Sequence, residues 1–317
     1  MTPMDNKVIV IAGPTASGKT RLGIELARSL GGEIVSADSM QIYRRMDIGT
    51  AKATAEERNA AVHHMLDVTE PGQNWSVARY VEEAARCCDG IIARGKLPIV
   101  VGGTGLYIDS LISGLDFAGT ASDNALREEL GAEYDRLGGE EMLRRLAQFD
   151  PERAAKLHPG DKRRIVRATE IYRLTGTTIT EHDRITAQRP KRYDAARIVL
   201  NYADRADLYA QIDRRVDAMI DAGLVGEVRG LLASGLSPEC TAMQAIGYKE
   251  TVAYIEGKIP LDEAAALIKQ NSRRYAKRQL TWFGRWQDAL RIIWKTGPDM
   301  ELARRASTEF LYDRGVS

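Results

Sequence analysis

Cysteines and long apolar runs are scarce in this sequence, and each scarcity argues against a class of protein. The three cysteines, Cys87, Cys88 and Cys240, form neither a disulfide framework nor a zinc-binding spacing, so we expect the reducing cytoplasm as the location. No stretch approaches the roughly 18 apolar residues that a membrane helix needs. The apolar run near the N-terminus has only about six residues, too few for a secretion signal. We therefore expect no membrane partner.

Net charge is also lacking. The 317 residues include 45 Lys and Arg against 44 Asp and Glu, a formal net charge of +1. A nucleic-acid partner would therefore have to be held by local basic patches, because no global field attracts it. The length suits one large domain or two domains with separate cores.

A complete phosphate-binding loop is the most informative feature present. It fits the pattern G-x-x-x-x-G-K-[ST] and lies between an apolar run (residues 7–12) and a helical pattern that starts at Arg21. The glycines let backbone N–H groups face a phosphate, the lysine adds positive charge, and the threonine hydroxyl can bind Mg²⁺. Its residues are Gly13, Pro14, Thr15, Ala16, Ser17, Gly18, Lys19 and Thr20. The loop predicts binding of a phosphorylated anion.

Apolar runs alternate with helical patterns in the first third of the chain. Residues 33–37 and 97–101 read as buried strands, and residues 77–93 between them read as a helix. This alternation predicts an α/β fold of the P-loop NTPase type, with a parallel sheet covered by helices on both faces.

Only helical patterns follow until a strand at residues 197–202, so we expect an inserted all-helical domain. We place this insertion at residues 118–192 and the catalytic core at 1–117 and 193–317. In a later helix at residues 261–283, a seven-residue spacing predicts the buried face. The residues at that spacing are Leu261, Ile268, Tyr275 and Trp282.

Polar groups follow two of the predicted strands directly. Asp38 comes after residues 33–37, where it can act as a general base, as a magnesium ligand or as a helix N-cap. Ser39 and Gln41 are free to hydrogen bond a substrate. Thr104 lies in a glycine turn after residues 97–101, and such turns border the same sheet edge.

Several charged or metal-binding patterns permit a simple structural interpretation. The basic cluster at residues 162–167 and a second at 189–192 favour a polyanionic partner modestly, although each alone suits a solvated surface. Of Arg214 and Arg215, one can reach the phosphate site. His63 and His64 suit a hydrogen-bonded pair better than a metal site, because no further ligand lies at the required spacing.

These features alone define a phosphate-loop enzyme with an aspartate at the pocket edge. A small-molecule or nucleoside kinase that binds ATP is then the first interpretation. A GTPase is less well supported, because no guanine-recognition motif is present.

Several sequence blocks, taken together, resemble bacterial tRNA dimethylallyltransferase. The resemblance runs from about residue 7 to residue 285, and the tail after Trp286 carries none of it. Besides the phosphate loop, the matching blocks are residues 38–43, 46–52, 101–107, 157–164, 245–248 and 275–283.

The resemblance implies transfer of a dimethylallyl group from dimethylallyl diphosphate to N6 of adenosine 37 in the tRNA anticodon stem-loop. The diphosphate, rather than ATP, then occupies the loop. Lys19, Arg215 and Mg²⁺ at Thr20 would hold it, Asp38 would take the proton, and Thr104 would help to position the reactants. The implied protein is a monomer.

The resemblance also implies a set of tRNA contacts in three parts of the chain. Around the pocket they are Asp38, Ser39, Met40, Gln41 and Thr104; in the insertion they are Arg127, Arg163, Arg164, Ile165, Val166 and Arg167; and in a later segment they are Gln244, Ala245, Ile246, Gly247, Tyr248 and Lys249. An adenylate isopentenyltransferase remains an alternative, although it needs no insertion that grips RNA.

Overall fold

The computed structural model describes residues 6–114, 123–188 and 190–316. The chain forms two compact units, one made of Met1–Ile112 with Arg192–Ser317 and the other of Ser113–Lys191. The predicted boundary between residues 117 and 118 lies outside the described residues. None of the described helices has the length and apolarity to span a membrane.

The first unit contains a six-stranded sheet, and every pair of neighbouring strands is parallel. The order across the sheet is β3-β2-β4-β1-β5-β6. The strands are β1 (Lys7–Ala12), β2 (Glu33–Ala37), β3 (His63–His64), β4 (Pro98–Gly102), β5 (Asp194–Tyr202) and β6 (Leu290–Trp294). The predicted α/β fold with a parallel sheet is confirmed.

Helices cover the sheet because both of its faces are apolar. Successive residues of a strand point to opposite faces. Ile9 and Ile11 of β1 belong to a core cluster with Leu22 and Leu26, while Val10 between them is equally inaccessible to solvent. The helices of this unit are α1 (Lys19–Leu30), α2 (Ala55–Ala60), α3 (Val77–Ala93), α4 (Gly105–Ser113), α10 (Arg205–Asp221), α11 (Leu224–Ala233), α12 (Tyr248–Ile255), α13 (Leu261–Phe283) and α14 (Met300–Asp313).

The bounds of α13 agree with the sequence prediction, and its buried face agrees in part. Tyr275 and Trp282 are only partly buried, and so is Leu261. The buried residues are Ala264, Ile268, Ala276, Gln279 and Phe283. Of the four predicted positions only Ile268 is fully buried; Tyr275 borders a cavity, and the Trp282 indole donates to Asp109 of α4.

The second unit is all-helical in its described part. Its helices are α5 (Asn124–Leu137), α6 (Gly139–Ala147), α7 (Pro151–Ala154), α8 (Lys162–Thr175) and α9 (Ile179–Ala187). One of its cores joins Leu130 and Met142 to Ile165 and Val166 of α8. The fully buried Glu170 carboxylate receives hydrogen bonds from Arg127 and Arg167, so burial of this charge is compensated.

The ends of β2 and β4 approach each other more closely than a side chain permits. A Cβ atom on Gly102 would lie 2.2 Å from the Ala37 carbonyl oxygen. Glycine at this position therefore sets the distance between the two turns that follow these strands.

We predict that Gly102→Ala lowers the free energy of unfolding by about 1–3 kcal/mol, because the strand ends must separate. Gly226→Ala is the matched control, since a Cβ atom at that helical position meets no neighbour within 4 Å. It should leave stability unchanged or raise it by a few tenths of a kcal/mol. Urea unfolding measures both, and equal stability of the two variants would contradict the prediction.

Candidate active site

The strand register brings the ends of β1, β2 and β4 to one level of the sheet. Ala12 pairs with Gly102, and Gly102 pairs with Ala37, so Gly13, Asp38 and Gly103 follow at the same edge. A cavity of about 700 Å³ opens there. The predicted site residues that line it are Thr15, Ala16, Ser17, Gly18, Lys19, Thr20, Asp38, Ser39, Met40, Gln41, Arg215, Gln244, Ala245, Ile246 and Tyr248.

The phosphate loop presents an uncapped helix N-terminus to this cavity. Gly18 is the N-cap of α1, with φ of 85° and no side-chain capping bond. The first N–H groups of a helix carry partial positive charge and need a partner, so this end suits an anion. Gly13 lies behind the cavity, where a Cβ atom would be 2.4 Å from the Leu200 carbonyl oxygen.

Lys19 and Arg215 are two partly buried basic groups that line the cavity. Burial is the main reason that the pKa of Lys19 falls to about 7; the neighbouring Arg215 lowers it further and Asp38 partly offsets both. Burial likewise lowers the pKa of Arg215, whereas Asp38 and Glu57 raise it. Lys19 Nζ donates to the Pro14 carbonyl at 2.6 Å. Arg214 is exposed, so Arg215 is the arginine of the pair that lines the cavity.

Asp38 combines a local structural role with a free carboxylate oxygen. Its Oδ1 accepts hydrogen bonds from the N–H groups of Met40 at 2.8 Å and Gln41 at 3.3 Å. No hydrogen bond found among the described residues uses its Oδ2. One oxygen thus caps the turn after β2, and the other is available to a ligand in the cavity.

Thr104 and Gln41 are held by the protein itself. Thr104 Oγ1 accepts a hydrogen bond from Ser39 N–H at 3.1 Å, and Thr104 is not among the residues that line the cavity. Gln41 Oε1 accepts from the Ser36 hydroxyl at 3.1 Å, and its Nε2 donates to the carbonyls of Thr50 and Ala51. The Gln41 side chain therefore fixes the turn, and it binds a substrate edge only if these bonds are exchanged.

The segment at residues 244–249 forms the opposite wall together with the loop at residues 46–52. Glu227 joins the two, since its carboxylate accepts from the N–H groups of Asp47, Ile48 and Gly49 and from the Tyr248 hydroxyl. Lys249 and Gly247 lie in this segment without lining the cavity.

Two residues of α13 at the site were missed by the periodicity analysis. Gln279 Oε1 accepts from Thr15 N–H at 2.9 Å, and its Nε2 donates to the Gly103 carbonyl at 3.0 Å, so one amide joins the phosphate loop to the turn after β4. Burial and the nearby Asp38 raise the pKa of Tyr275 to about 12, so its hydroxyl keeps its proton. A polar residue on the apolar stripe of α13 was the available signal for Gln279.

The predicted RNA-binding residues of the second unit fall into three groups. Arg127 and Arg167 are partly buried and donate to the Glu170 carboxylate. Arg163 and Arg164 are exposed in the first turn of α8. Ile165 and Val166 are buried in the core of that unit, so their side chains hold the helix in place and do not reach its surface. For these two residues, a side-chain contact with RNA is not available in this structure.

The histidine pair makes hydrogen bonds, as expected. His63 Nδ1 lies 2.8 Å from the Ala61 carbonyl, and His64 Nε2 lies 2.7 Å from Glu33 Oε2. Burial alone would raise the pKa of the Glu33 carboxyl, but hydrogen bonds from Lys96, His64 and Arg94 lower it to about 2.

The donors at the site suit a magnesium ion that a phosphorylated substrate also binds. The described residues contain no group of three or more His, Cys, Asp and Glu side chains that could hold a metal. The Thr20 hydroxyl and the Asp38 carboxylate are oxygen donors on the same cavity. Mg²⁺ commonly takes one or two protein oxygens and completes its shell with phosphate and water.

A parallel sheet, a glycine-rich loop and two basic side chains at the carboxyl edge place this protein among α/β enzymes, and the loop is of the kind that binds phosphorylated anions. The IPP transferase family model matches residues 41–286, and the isopentenyl transferase model matches residues 6–68. The chain belongs to the IPP transferase family.

Known relatives cover nearly the whole chain. A tRNA dimethylallyltransferase of Caldanaerobacter subterraneus is 48% identical over 278 residues, which are 87% of this chain and 88% of the relative. The crystal structure of the tRNA isopentenylpyrophosphate transferase of Bacillus halodurans is 38% identical, with a TM-score of 0.71 over 98% of this chain and 96% of that one. A eukaryotic dimethylallyltransferase acting on tRNA has a TM-score of 0.81 at 28% identity, over 97% of this chain and 80% of its own.

The lowered pKa of Lys19 predicts proton uptake when an anion binds. At pH 8 this amine is mostly neutral in the free protein, because its pKa is about 7. A bound diphosphate stabilises the charged form and raises the pKa, so a proton enters. The affinity for pyrophosphate should therefore fall as the pH rises from 6.5 to 8.5, beyond the change due to the ligand's own titration.

Calorimetry at pH 8 in buffers of different ionisation enthalpy measures this uptake. Lys19→Arg is the matched control, because a guanidinium stays charged and shows only the proton exchange of the ligand. Equal uptake by the two proteins would contradict the prediction.

Proposed function

We propose that this protein transfers a dimethylallyl group from dimethylallyl diphosphate to N6 of adenosine 37 in tRNA and releases diphosphate. The observation that carries the proposal is the pair of partly buried basic side chains, Lys19 and Arg215, at the same cavity as the Asp38 carboxylate. Cations suit the leaving group, and a carboxylate suits an amine that loses a proton. The relatives named above support the same reaction.

The leaving diphosphate is the first chemical problem that the site solves. Negative charge grows on the oxygen that joins the prenyl C1 to the diphosphate as the C1–O bond breaks. The uncapped N-terminus of α1, with Lys19 and Arg215, places donors and positive charge there before the reaction begins. A magnesium ion at Thr20 would supply further charge neutralisation when bound.

The acceptor amine is the second problem. The N6 electron pair forms the bond to the prenyl C1, and the electrons of the C1–O bond leave with diphosphate. N6 then carries an excess proton, and Asp38 takes it through the carboxylate oxygen that the turn does not use. Thr104 acts by holding the Ser39 N–H and hence the turn that carries Asp38.

The acceptor base must leave the stack of the anticodon loop to enter a cavity of this kind. Ser39 and Met40 line the cavity on one side and Gln244–Ile246 on the other, and we propose that the base passes between them. Exposed Arg163 and Arg164 supply charge for the RNA phosphates.

The cavity is built from one chain, so we expect a monomer to be active. The three cysteines are free thiols, and we propose a reducing cytoplasm as the working compartment.

The test is a transfer assay with labelled dimethylallyl diphosphate and a choice of acceptor. Wild-type protein is offered an anticodon stem-loop RNA, the same RNA with guanosine at the acceptor position, or AMP. We expect label only in the adenosine-containing RNA. Label in AMP alone would indicate an adenylate isopentenyltransferase, and phosphoryl transfer from ATP without any prenyl transfer would indicate a kinase.

Asp38→Asn in the same assay separates its two roles. Asparagine keeps an oxygen that can accept from Met40 and Gln41, so RNA binding should change little. Loss of the base should reduce kcat by about 10²–10⁴-fold. An equal loss of kcat and of RNA affinity would contradict the role of Asp38 as base.

The predicted RNA contacts of α8 are tested by salt dependence. We expect Arg163→Ala with Arg164→Ala to weaken RNA binding and to reduce the slope of log K against log salt by about 1.4–1.8, because two phosphate contacts are lost. Arg136→Ala with Arg144→Ala removes the same charge from exposed positions of the same unit. If the slope of the Arg163 and Arg164 variant equals that of the wild type, or equals that of the control variant, the cluster is an ordinary solvated surface and the prediction is wrong.

A further inference from the structure

Two side chains outside the cavity hold the phosphate loop by its carbonyl groups. The Tyr202 hydroxyl donates to the Ala16 carbonyl at 3.0 Å. The Trp294 indole N–H donates to the Ser17 carbonyl at 3.0 Å. Tyr202 ends β5 and Trp294 ends the neighbouring β6, so two adjacent strands of the sheet deliver these donors to consecutive peptide groups.

Fixing a carbonyl also fixes the N–H on the other side of the same peptide plane. In a trans peptide the C=O and the following N–H point in opposite directions, and the described chain has no cis bond. With the carbonyls of Ala16 and Ser17 turned toward Tyr202 and Trp294, the N–H groups of Ser17 and Gly18 point the opposite way. No hydrogen bond among the described residues uses either N–H, and both residues line the cavity.

The surroundings of these two donors keep them in place. Tyr202 is 4% exposed and Trp294 is 1% exposed, and both belong to the core cluster beneath the loop. Burial raises the pKa of the Tyr202 hydroxyl, so it remains a donor at neutral pH. On the Gly18 side the loop is closed by Met300, whose Cε would lie 2.7 Å from a Cβ atom at that position.

We propose that Tyr202 and Trp294 are positioning residues for the diphosphate, which act by turning the N–H groups of Ser17 and Gly18 into the cavity. The proposal rests on the proposed function in one respect, that the loop binds a diphosphate. In this role β6 contributes to diphosphate binding through Trp294, although the strand lies beyond the residues that the IPP transferase family model matches.

The test compares two buried tyrosines at opposite ends of β5. Tyr202→Phe removes only the hydroxyl that holds Ala16. The matched control is Tyr193→Phe. Tyr193 directly precedes the first residue of β5 and is 1% exposed, and its hydroxyl donates to Asp89 Oδ1 at 2.6 Å. Tyr202→Phe removes one hydrogen bond, and Tyr193→Phe removes those with Asp89, Ala85 and Arg192, so both lower the melting temperature and the control does so at least as much. Trp294→Phe provides a second, independent removal.

The affinity for inorganic pyrophosphate with Mg²⁺ is measured by calorimetry on the full chain, together with the KM for each substrate. We expect Tyr202→Phe and Trp294→Phe each to weaken pyrophosphate binding by roughly five- to tenfold and to raise the KM for dimethylallyl diphosphate. The KM for RNA should stay within about twofold of the wild-type value, and Tyr193→Phe should bind pyrophosphate as the wild type does.

The inference is overturned if both loop variants bind pyrophosphate as tightly as Tyr193→Phe, because the two side chains then only pack the core. If the wild-type protein itself binds no pyrophosphate, the proposed function fails. The two failures are therefore distinguishable.

Discussion

Two partly buried basic groups, Lys19 and Arg215, at one cavity are the constraint on which the rest of the site depends. Burial disfavours the charge on both groups, and their mutual repulsion adds to this effect at Lys19. Asp38 offsets part of it, and Glu57 helps at Arg215. With a pKa of about 7, Lys19 is only partly charged in the free protein near neutral pH, and a bound di- or trianion favours its charged form. A site of this kind selects for the charge of its ligand before it selects for shape.

The phosphate loop, which carries Lys19, is supported by distant parts of the chain. The loop at residues 13–20 is held by Gln279 at Thr15, by Tyr202 at Ala16 and by Trp294 at Ser17. All three supports lie in the second half of the chain. The local sequence pattern forms a loop that can bind phosphate, and tertiary contacts decide which of its N–H groups face the ligand.

The sequence predicts β1, β2, α3 and α13 with the bounds that the structure has, because apolar period and turn residues agree in these segments. It misses β3, which has two residues, and it also misses α14, although the buried residues of that helix recur at helical spacing. It identifies only part of the buried face of α13, since Gln279 is polar and buried while Tyr275 is aromatic and borders the cavity. A simple apolar count cannot separate core positions from cavity positions, because both exclude bulk water.

The Glu227 carboxylate stiffens one wall of the cavity. It joins the loop at residues 46–52 to Tyr248 through four hydrogen bonds, across as many as 180 residues of sequence. Releasing the loop breaks three of these bonds, which at about 1 kcal/mol each costs on the order of 3 kcal/mol, so the released form is populated less than about once in a hundred. The wall formed by residues 46–52 and 244–249 therefore opens rarely. A substrate that enters the cavity elsewhere contacts this wall as a rigid surface.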